Sequence, residues 1–227
     1  MPDFNEYSED YYQVMEETMG RFGISKSSEY FAYCKAWHLE RYLHDFKGNI
    51  LDWGCGHGLT AWNVTQSFPG ATVDGYDPAA EVIENIPDLL RENIRFYSKV
   101  EELECKYDII FAAGVVHHVE LEDRMQLMTE MSNALNPGGR LFIFEHNANN
   151  PLTRKIMDAC PFDDDAIPVA PKQLQELIRQ TDFTEEALDY ISFVPPALKW
   201  MLPLEKMLGW CPLGMQYLLV ASKNTKV

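Results

Sequence analysis

Gly54, Gly56 and Gly58 alternate with other residues at the end of a short apolar run, residues 50–58, ILDWGCGHG. Glycine has no Cβ and adopts positive φ freely, so such a loop bends sharply and approaches a ligand closely. A strand, a glycine loop and a helix form the nucleotide-binding turn of doubly wound sheets. The G-x-G-x-G spacing lacks both the dinucleotide ending and the Gly-Lys-Ser/Thr of a P-loop. The loop therefore predicts nucleotide binding without a triphosphate cradle.

A carboxylate follows the next predicted strand. Asp77 lies 23 residues after Gly54, close to the offset of roughly 20 residues at which an acid meets ribose hydroxyls. A carboxylate there accepts hydrogen bonds from both hydroxyls and repels a 2′-phosphate. We therefore expect Asp77 to bind a ribose.

Further polar side chains follow two later apolar runs: His117 and His118 after the first, Glu145 and His146 after the second. Ligands of open α/β sheets bind beyond the carboxyl ends of the strands, so these groups are expected to face the same cleft. Histidine titrates near neutral pH, which suits proton removal from a hydroxyl or an amine. The candidate catalytic residues are His117, Glu145 and His146, and His118 is the weaker candidate.

The elements that position these residues alternate between strand and helix. Two or more helices are expected before residue 45, including one over 30–43. Alternation of this kind predicts a parallel sheet with helices on both faces. The first predicted strand ends in the acid Asp52, and the later ones cover 71–77, 93–97, 107–113, 140–146, 185–194 and 215–222. The predicted helices cover 57–67, 78–85 (with Pro78 at its first position), 122–135 and 172–181.

Two segments interrupt this alternation and are expected to be insertions on the substrate side. Residues 147–171 are rich in Asn, Pro and Asp, and residues 195–214 carry Trp, Met and Leu at near-helical spacing. The second segment either covers a pocket or a second copy of the chain, or packs on its own core. We predict a helical cap over 1–45 and one nucleotide-binding domain over 46–227.

Four blocks of the chain resemble class I S-adenosylmethionine (SAM)-dependent methyltransferases. Residues 52–58, DWGCGHG, are similar to motif I (D-x-G-x-G-x-G), and Asp77 falls where that family has its ribose-binding acid. Residues 107–119 resemble the fourth strand and its turn, and residues 135–144 resemble the L-x-P-G-G-x-L turn into strand five. The resemblance implies a Rossmann-like, doubly wound, seven-stranded and mostly parallel sheet, whose late strands form an antiparallel hairpin at the edge.

The same resemblance implies SAM as the cofactor and S-adenosyl-L-homocysteine as the product. After strand three the family often has an acid for adenine, whereas this chain reads Tyr-Ser-Lys-Val-Glu over 97–101, so adenine recognition would depend on backbone groups and Ser98. His117 would point toward the transferred methyl. The implied cofactor-binding residues are Asp52, Gly54, Gly56, Gly58, Asp77, Pro78, Ser98, Val100, Ala113 and Gly114.

The composition of the chain limits the classes of partner that it can bind. The chain has 227 residues and a net charge of −16 without a basic block, so nucleic acids and anionic membranes are poor candidates. No apolar run approaches a membrane span, and the N-terminus does not resemble a signal peptide. Five scattered cysteines without C-x-x-C spacing predict free thiols, a cytoplasmic location and no metal site.

The function predicted from these features is methyl transfer from SAM to an O or N atom of a small molecule, with a homodimer as an open alternative to a monomer. Two other functions keep the cofactor. One is attack at another sulfonium carbon, such as cyclisation of the aminocarboxypropyl arm with release of methylthioadenosine. The other is a SAM-binding partner protein without catalysis. An NAD-dependent oxidoreductase is disfavoured by the glycine spacing.

Overall fold

A computed structural model describes residues 11–24, 27–104, 106–164 and 166–225. The chain begins with helices α1 (Tyr11–Gly20) and α2 (Ser27–Leu43). The first four strands follow with their helices: β1 (Asn49–Trp53), α3 (Leu59–Ser67), β2 (Thr72–Tyr76), α4 (Ala80–Glu84), α5 (Asp88–Arg91), β3 (Arg95–Tyr97) and β4 (Tyr107–Ala113). The chain continues with α6 (Arg124–Ala134), β5 (Leu135–His146), α7 (Pro151–Met157), α8 (Pro171–Arg179), β6 (Phe183–Ile191) and β7 (Gln216–Lys223).

The strands form one seven-stranded sheet in the order β3-β2-β1-β4-β5-β7-β6. The β1–β2, β1–β4, β2–β3 and β4–β5 pairs are parallel, and β7 is antiparallel to both β5 and β6. This confirms the predicted mostly parallel sheet with its antiparallel late hairpin. The carboxyl ends of β1, β2, β4 and β5 therefore meet at one edge, where the candidate site lies.

The sheet is buried on both faces, as central parallel strands require. On one face Ala36 and Leu39 of α2 pack with Ile50 of β1 and Ala61 of α3. Helices α6 and α8 pack on the other face. Helix α2 thus shares the core of the sheet, although the division of the chain at residue 45 stays a prediction. Residues 1–10 of the predicted cap lie outside the described residues.

Some predicted boundaries were wrong. Pro78 does not begin a helix, because α4 starts at Ala80 and an Asp77 side-chain oxygen accepts the N–H of Ala79 at 2.9 Å. Strand β5 starts at Leu135 rather than 140, because Leu135 already pairs with Tyr107 of β4, and an irregularity follows before the pairing resumes at Arg140. The first insertion contains α7, whose first turn is capped by the Asn150 side chain through the Leu152 N–H at 2.9 Å.

The apolar connection between β6 and β7 forms a 3₁₀ segment, Pro196–Met207. One face packs on the chain itself, because Leu202 is buried against Tyr30 and Cys34 of α2. The other face exposes large apolar side chains, including Trp200 at 76% and, just beyond the segment, Trp210 at 79%. One face of the segment thus packs on its own chain, which is one of the two uses expected from the sequence. Cover of the exposed face by a second copy of the chain stays a prediction.

A buried carboxylate fastens this segment to α2. Glu205 is 1% exposed, lies 3.2 Å from His38 Nε2, and accepts the backbone N–H groups of Ser192, Phe193 and Val194 at 2.8–3.0 Å. Burial disfavours the carboxylate, but the hydrogen bond from His38 and the backbone donors outweigh it and lower the pKa of Glu205. Among the helices that the structure describes, none has the length and apolarity of a membrane crossing.

Candidate functional site

The glycine loop turns the chain from β1 into α3. Gly54 has φ +75°, and a Cβ placed on it would lie 2.5 Å from Val115 Cγ2. The N–H groups of Gly54 and Cys55 both donate to the carbonyl of Tyr76, at 2.7 and 3.0 Å. The loop is therefore held against the end of β2 in a conformation that favours glycine.

Asp77 completes this loop. One carboxylate oxygen accepts the Gly56 N–H at 2.9 Å, and the other accepts the Ala79 N–H at 2.9 Å. Burial disfavours the charged form and raises the pKa of Asp77, although these two donors oppose the shift. Each oxygen keeps lone-pair capacity for a further donor, so the carboxylate can still accept ligand hydroxyls.

A cavity of about 300 Å³ opens beyond the strand ends. Its size is at the lower end of the range for small-molecule sites, about 300–1,000 Å³. It is lined by seven of the predicted cofactor-binding residues and by three predicted or weighed histidines, namely Asp52, Gly54, Gly56, Asp77, Pro78, Ala113, Gly114, His117, His118 and His146. Gly58, Ser98 and Val100 are not among the lining residues, so their contact with a cofactor stays a prediction.

Asp52 presents a buried acceptor in the wall of this cavity. It is 1% exposed, and its Oδ2 has no hydrogen-bond partner among the described residues. Burial raises its pKa well above the usual value, although the charge of Lys35 opposes that shift. A buried acceptor without a donor is costly unless a ligand supplies one, so this oxygen suits a ligand amino group.

Lys35 is a cavity residue that was not predicted from the sequence. It projects from α2 and lines the same cavity. Burial lowers its pKa, and the nearby acidic groups Asp52 and Glu145 oppose the shift. The sequence signal that could have found it is a single lysine between two residues, Cys34 and Ala36, that are buried on α2.

Glu145 and His117 form a buried pair. The Glu145 carboxylate lies 2.6 Å from His117 Nδ1 and accepts the Val116 N–H at 2.7 Å. Burial opposes charging, but the carboxylates of Glu145 and Asp163 outweigh it and raise the pKa of His117 to about 10. Burial would raise the pKa of Glu145, but the His117 charge lowers it to about 2. His117 is therefore charged at neutral pH, which corrects the expectation of a titrating base at this position.

His118 and His146 behave differently. Burial, followed by the positive charge of His117, lowers the pKa of each to about 4. The ring centroid of His146 lies 5.1 Å from that of His117. Both rings are thus neutral at pH 7, and both face the cavity. Of the predicted catalytic residues, His146 is the neutral imidazole that lines the cavity.

Asp163 joins this cluster from the first insertion. Its Oδ1 lies 3.5 Å from His117 Nε2 and 3.9 Å from His118 Nε2. It belongs to the short 3₁₀ turn Pro161–Asp163, which buries Phe162. The insertion was predicted from the sequence, but Asp163 was not selected within it. The apolar Phe162 directly before a run of three Asp residues was the available signal.

The prediction that the chain has no metal site was based on cysteines alone. Cys34, Cys55, Cys160 and Cys211 are free thiols in the structure. Folding instead groups nitrogen and oxygen donors, because donor atoms of His117, His118 and Asp163 lie within 4.8 Å of one another. Such a group is of the kind that holds a divalent cation.

A comparison with protein families finds a match for the central part of the chain. Residues 51–141 match the family model described as a methyltransferase domain. The segment covers β1 to the first half of β5, including the glycine loop and Asp77. Together with the fold, this match agrees with the resemblance of this part of the chain to class I SAM-dependent methyltransferases, which use SAM as cofactor.

Individual relatives are more distant. A malonyl-[acyl-carrier protein] O-methyltransferase of Ilyobacter polytropus is 31% identical over 98 residues, 40% of this chain and 36% of that protein. A tRNA U34 carboxymethyltransferase of Campylobacter concisus is 28% identical over 101 residues, 41% and 34% of the two chains. The chain thus matches about a third of the length of these curated relatives.

Solved structures agree on the fold over a longer stretch. The plantazolicin methyltransferase BpumL, in complex with S-adenosylhomocysteine, superposes with a TM-score of 0.64 at 13% identity. The alignment covers 97% of this chain and 95% of that one. At this identity the similarity concerns the fold.

Proposed function

We propose that the protein transfers the methyl group of SAM to an O or N atom of a small molecule. The observation that carries the proposal is a cavity that connects Asp77 and the glycine loop with the neutral imidazole of His146. One end of this cavity would then hold the cofactor, and the other end would hold the group that accepts a proton. This is the arrangement that a methyl acceptor needs, since positioning supplies most of the rate of such a transfer.

Three features of the chain would hold the cofactor. Asp77 would accept hydrogen bonds from ribose hydroxyls, and the backbone of the glycine loop allows close approach. The unpartnered Oδ2 of Asp52 would accept a hydrogen bond donated by the amino group of the methionine arm. When bound, SAM supplies a methyl group that its sulfonium already activates.

The other residues of the cavity act on the acceptor. His146 is neutral at pH 7 and would take the proton that leaves a hydroxyl or an amine. Glu145 is occupied by His117 and by a backbone N–H, so it would position the turn after β4 rather than act as the base. Apolar side chains such as Phe31, Ile156 and Met215 line the rest of the cavity and would exclude water.

A small acceptor is favoured over tRNA by charge. The chain carries −16 at pH 7, and binding of a polyanion depends on cationic side chains that neutralise phosphates. Because one relative is a tRNA U34 carboxymethyltransferase, the test also includes tRNA as an acceptor. Cyclisation of the cofactor arm and SAM binding without catalysis are the other outcomes to be separated.

The test is a mass-spectrometric incubation of the purified protein with SAM in three arms: alone, with a small-molecule extract and with bulk tRNA. We expect S-adenosylhomocysteine only with the extract, together with an acceptor heavier by one methyl group. Asp77→Ala and His146→Gln should abolish or strongly reduce this product, whereas Glu81→Ala, on the exposed face of α4, should not. Product with tRNA alone, methylthioadenosine from SAM alone, or binding without turnover would each overturn the proposal.

A further inference from the structure

The geometry points to a divalent transition-metal site formed by His117 Nε2, a ring nitrogen of His118 and a carboxylate oxygen of Asp163. These donors lie within 4.8 Å of one another and all three residues line the cavity. Imidazole and carboxylate together suit ions such as Zn²⁺, Fe²⁺ or Co²⁺ better than Mg²⁺ or Ca²⁺, which prefer oxygen ligands alone.

Glu145 prepares His117 to be a ligand. Its carboxylate lies 2.6 Å from His117 Nδ1, so Nδ1–H donates to Glu145, and Nε2 lies on the side of Asp163. A bound ion would displace the proton that Nε2 carries in the metal-free chain. In metal sites, a histidine that binds the ion with one ring nitrogen usually donates the N–H of the other nitrogen to a carboxylate, which fixes the orientation of the ring. Glu145 is 1% exposed and also accepts the Val116 N–H, which fixes its own position.

The spacing between the donors leaves room for an ion. His117 Nε2 and Asp163 Oδ1 are 3.5 Å apart, and His118 Nε2 and Asp163 Oδ1 are 3.9 Å apart. A direct charged hydrogen bond would close to about 2.7–2.9 Å. Two ligands on a tetrahedral zinc ion, with bonds of about 2.0–2.2 Å, lie about 3.4 Å apart. The observed distances are thus nearer to those of a shared cation than to those of a tight ion pair.

Backbone contacts bring the two distant segments together. The carbonyl of His117 accepts the Ile167 N–H at 2.7 Å. The carbonyl of Ile167 in turn accepts Arg124 Nη2 at 2.6 Å. The segment that carries Asp163 is therefore fastened beside the turn that carries both histidines, and the three donors do not depend on side-chain packing alone.

Three protein ligands leave a coordination position open, as in catalytic zinc sites. His117 is 2% exposed, whereas the side chains of His118 and Asp163 are 15% and 10% exposed, so the open position faces the cavity on their side. There the ion would bind a hydroxyl or carboxylate oxygen of the acceptor and lower the pKa of a bound hydroxyl. This role rests on the proposed methyl transfer, whereas metal binding does not.

The experiment is a Co²⁺ titration of the full chain after removal of metals with EDTA, without SAM, followed by visible absorption. We expect one equivalent to bind with nitrogen and oxygen ligation and no thiolate charge-transfer band. His118→Ala and Asp163→Ala should lose binding, and Glu145→Gln should weaken it about 10–100-fold. Asp164→Ala, an exposed neighbour, should bind as the original chain does.

SAM affinity measured on the same variants checks that each one is folded, because Asp77 and the glycine loop lie at the other end of the cavity. No saturable binding by the original chain would overturn the metal site. Equal binding by the His118 and Asp163 variants, or a thiolate band from Cys160, would overturn it as well. If cobalt binds as expected and methyl transfer is absent, the site stands and the proposed function fails.

Discussion

Glu145 and His117, 28 residues apart in the chain, meet as a buried ion pair with 2.6 Å between carboxylate oxygen and Nδ1. Their side chains are 1% and 2% exposed. The pair links the end of β5 to the turn after β4. Its two pKa shifts, in opposite directions, make the stability of the fold depend on pH.

The first prediction concerns this dependence in the metal-free chain. The pKa of His117 is raised to about 10, so its stabilising charge is complete below the unfolded value of about 6.5 and is lost as pH rises through 10. The contribution of His117 to the free energy of unfolding should then fall by at most about 1.4 kcal/mol per pH unit across this range. Urea unfolding with EDTA present measures it, and His117→Gln should flatten the slope. Equal slopes would contradict the prediction.

At low pH the stability that the pair contributes depends on the ionisation of Glu145. Its pKa is lowered to about 2, so its contribution is present above about 4.5 and is lost as pH falls through 2. Glu145→Gln should remove that part of the acid sensitivity. The pair as a whole contributes most between about pH 4.5 and 6.5.

A second prediction concerns the cofactor end of the cavity. Asp77→Ala removes the acceptor for the Gly56 and Ala79 N–H groups as well as the expected ribose contact. We expect SAM affinity to fall at least about tenfold, since a charged hydrogen bond contributes about 1.5–3 kcal/mol. Isothermal titration calorimetry measures the affinity, and Glu81→Ala serves as the control. Unchanged affinity would remove Asp77 from the site.

The glycine loop provides a paired test of backbone strain and space. Gly56 has φ +50° and nothing within 4 Å of an added Cβ, whereas at Gly54 (φ +75°) that Cβ would clash with Val115. Gly56→Ala should cost about 1–2 kcal/mol from the left-handed backbone alone. Gly54→Ala should cost a further 1–3 kcal/mol, roughly, from overpacking. Thermal and urea unfolding compare the two variants, and a larger loss at Gly56 than at Gly54 would contradict the expected clash.

The fourth prediction tests Glu205, whose carboxylate serves His38 and three backbone donors. Glu205→Ala should destabilise the chain by at least about 3 kcal/mol, because several buried donors lose their acceptor and each such loss costs about 1–3 kcal/mol. Glu186→Gln breaks a pair with Arg140 whose side chains are 35% and 24% exposed, and should cost less than about 1 kcal/mol. A similar loss in both variants would argue against the special role of Glu205.

Much of the fold follows from local sequence signals. Strand β4 begins and ends at the predicted residues 107 and 113, because a buried apolar run between turn residues is a strong strand signal. The glycine loop and Asp77 were predicted for a similar reason, since both come directly after strands. The starts of α4 and β5 were less well predicted, because Pro78 and Pro137 suggested element boundaries that the structure does not have.

The acceptor end could not be predicted in the same way. Lys35 and Asp163 enter the cavity from α2 and from an irregular insertion, and their proximity to the strand ends depends on tertiary packing. The charge state of His117 was not predicted because its pKa depends on contacts with Glu145 and Asp163, which lie 28 and 46 positions away in the chain. Spacing within a motif carries no information about such contacts.

The contact between His38 and Glu205 also bears on the order of assembly during synthesis. The two residues are 167 positions apart, so α2 leaves the ribosome long before the carboxylate that it packs against. Chains grow from the N-terminus and earlier segments fold first, yet this side of the molecule cannot be completed until residue 205 has emerged. The contact between α2 and the 3₁₀ segment is therefore among the last to form in the nascent protein.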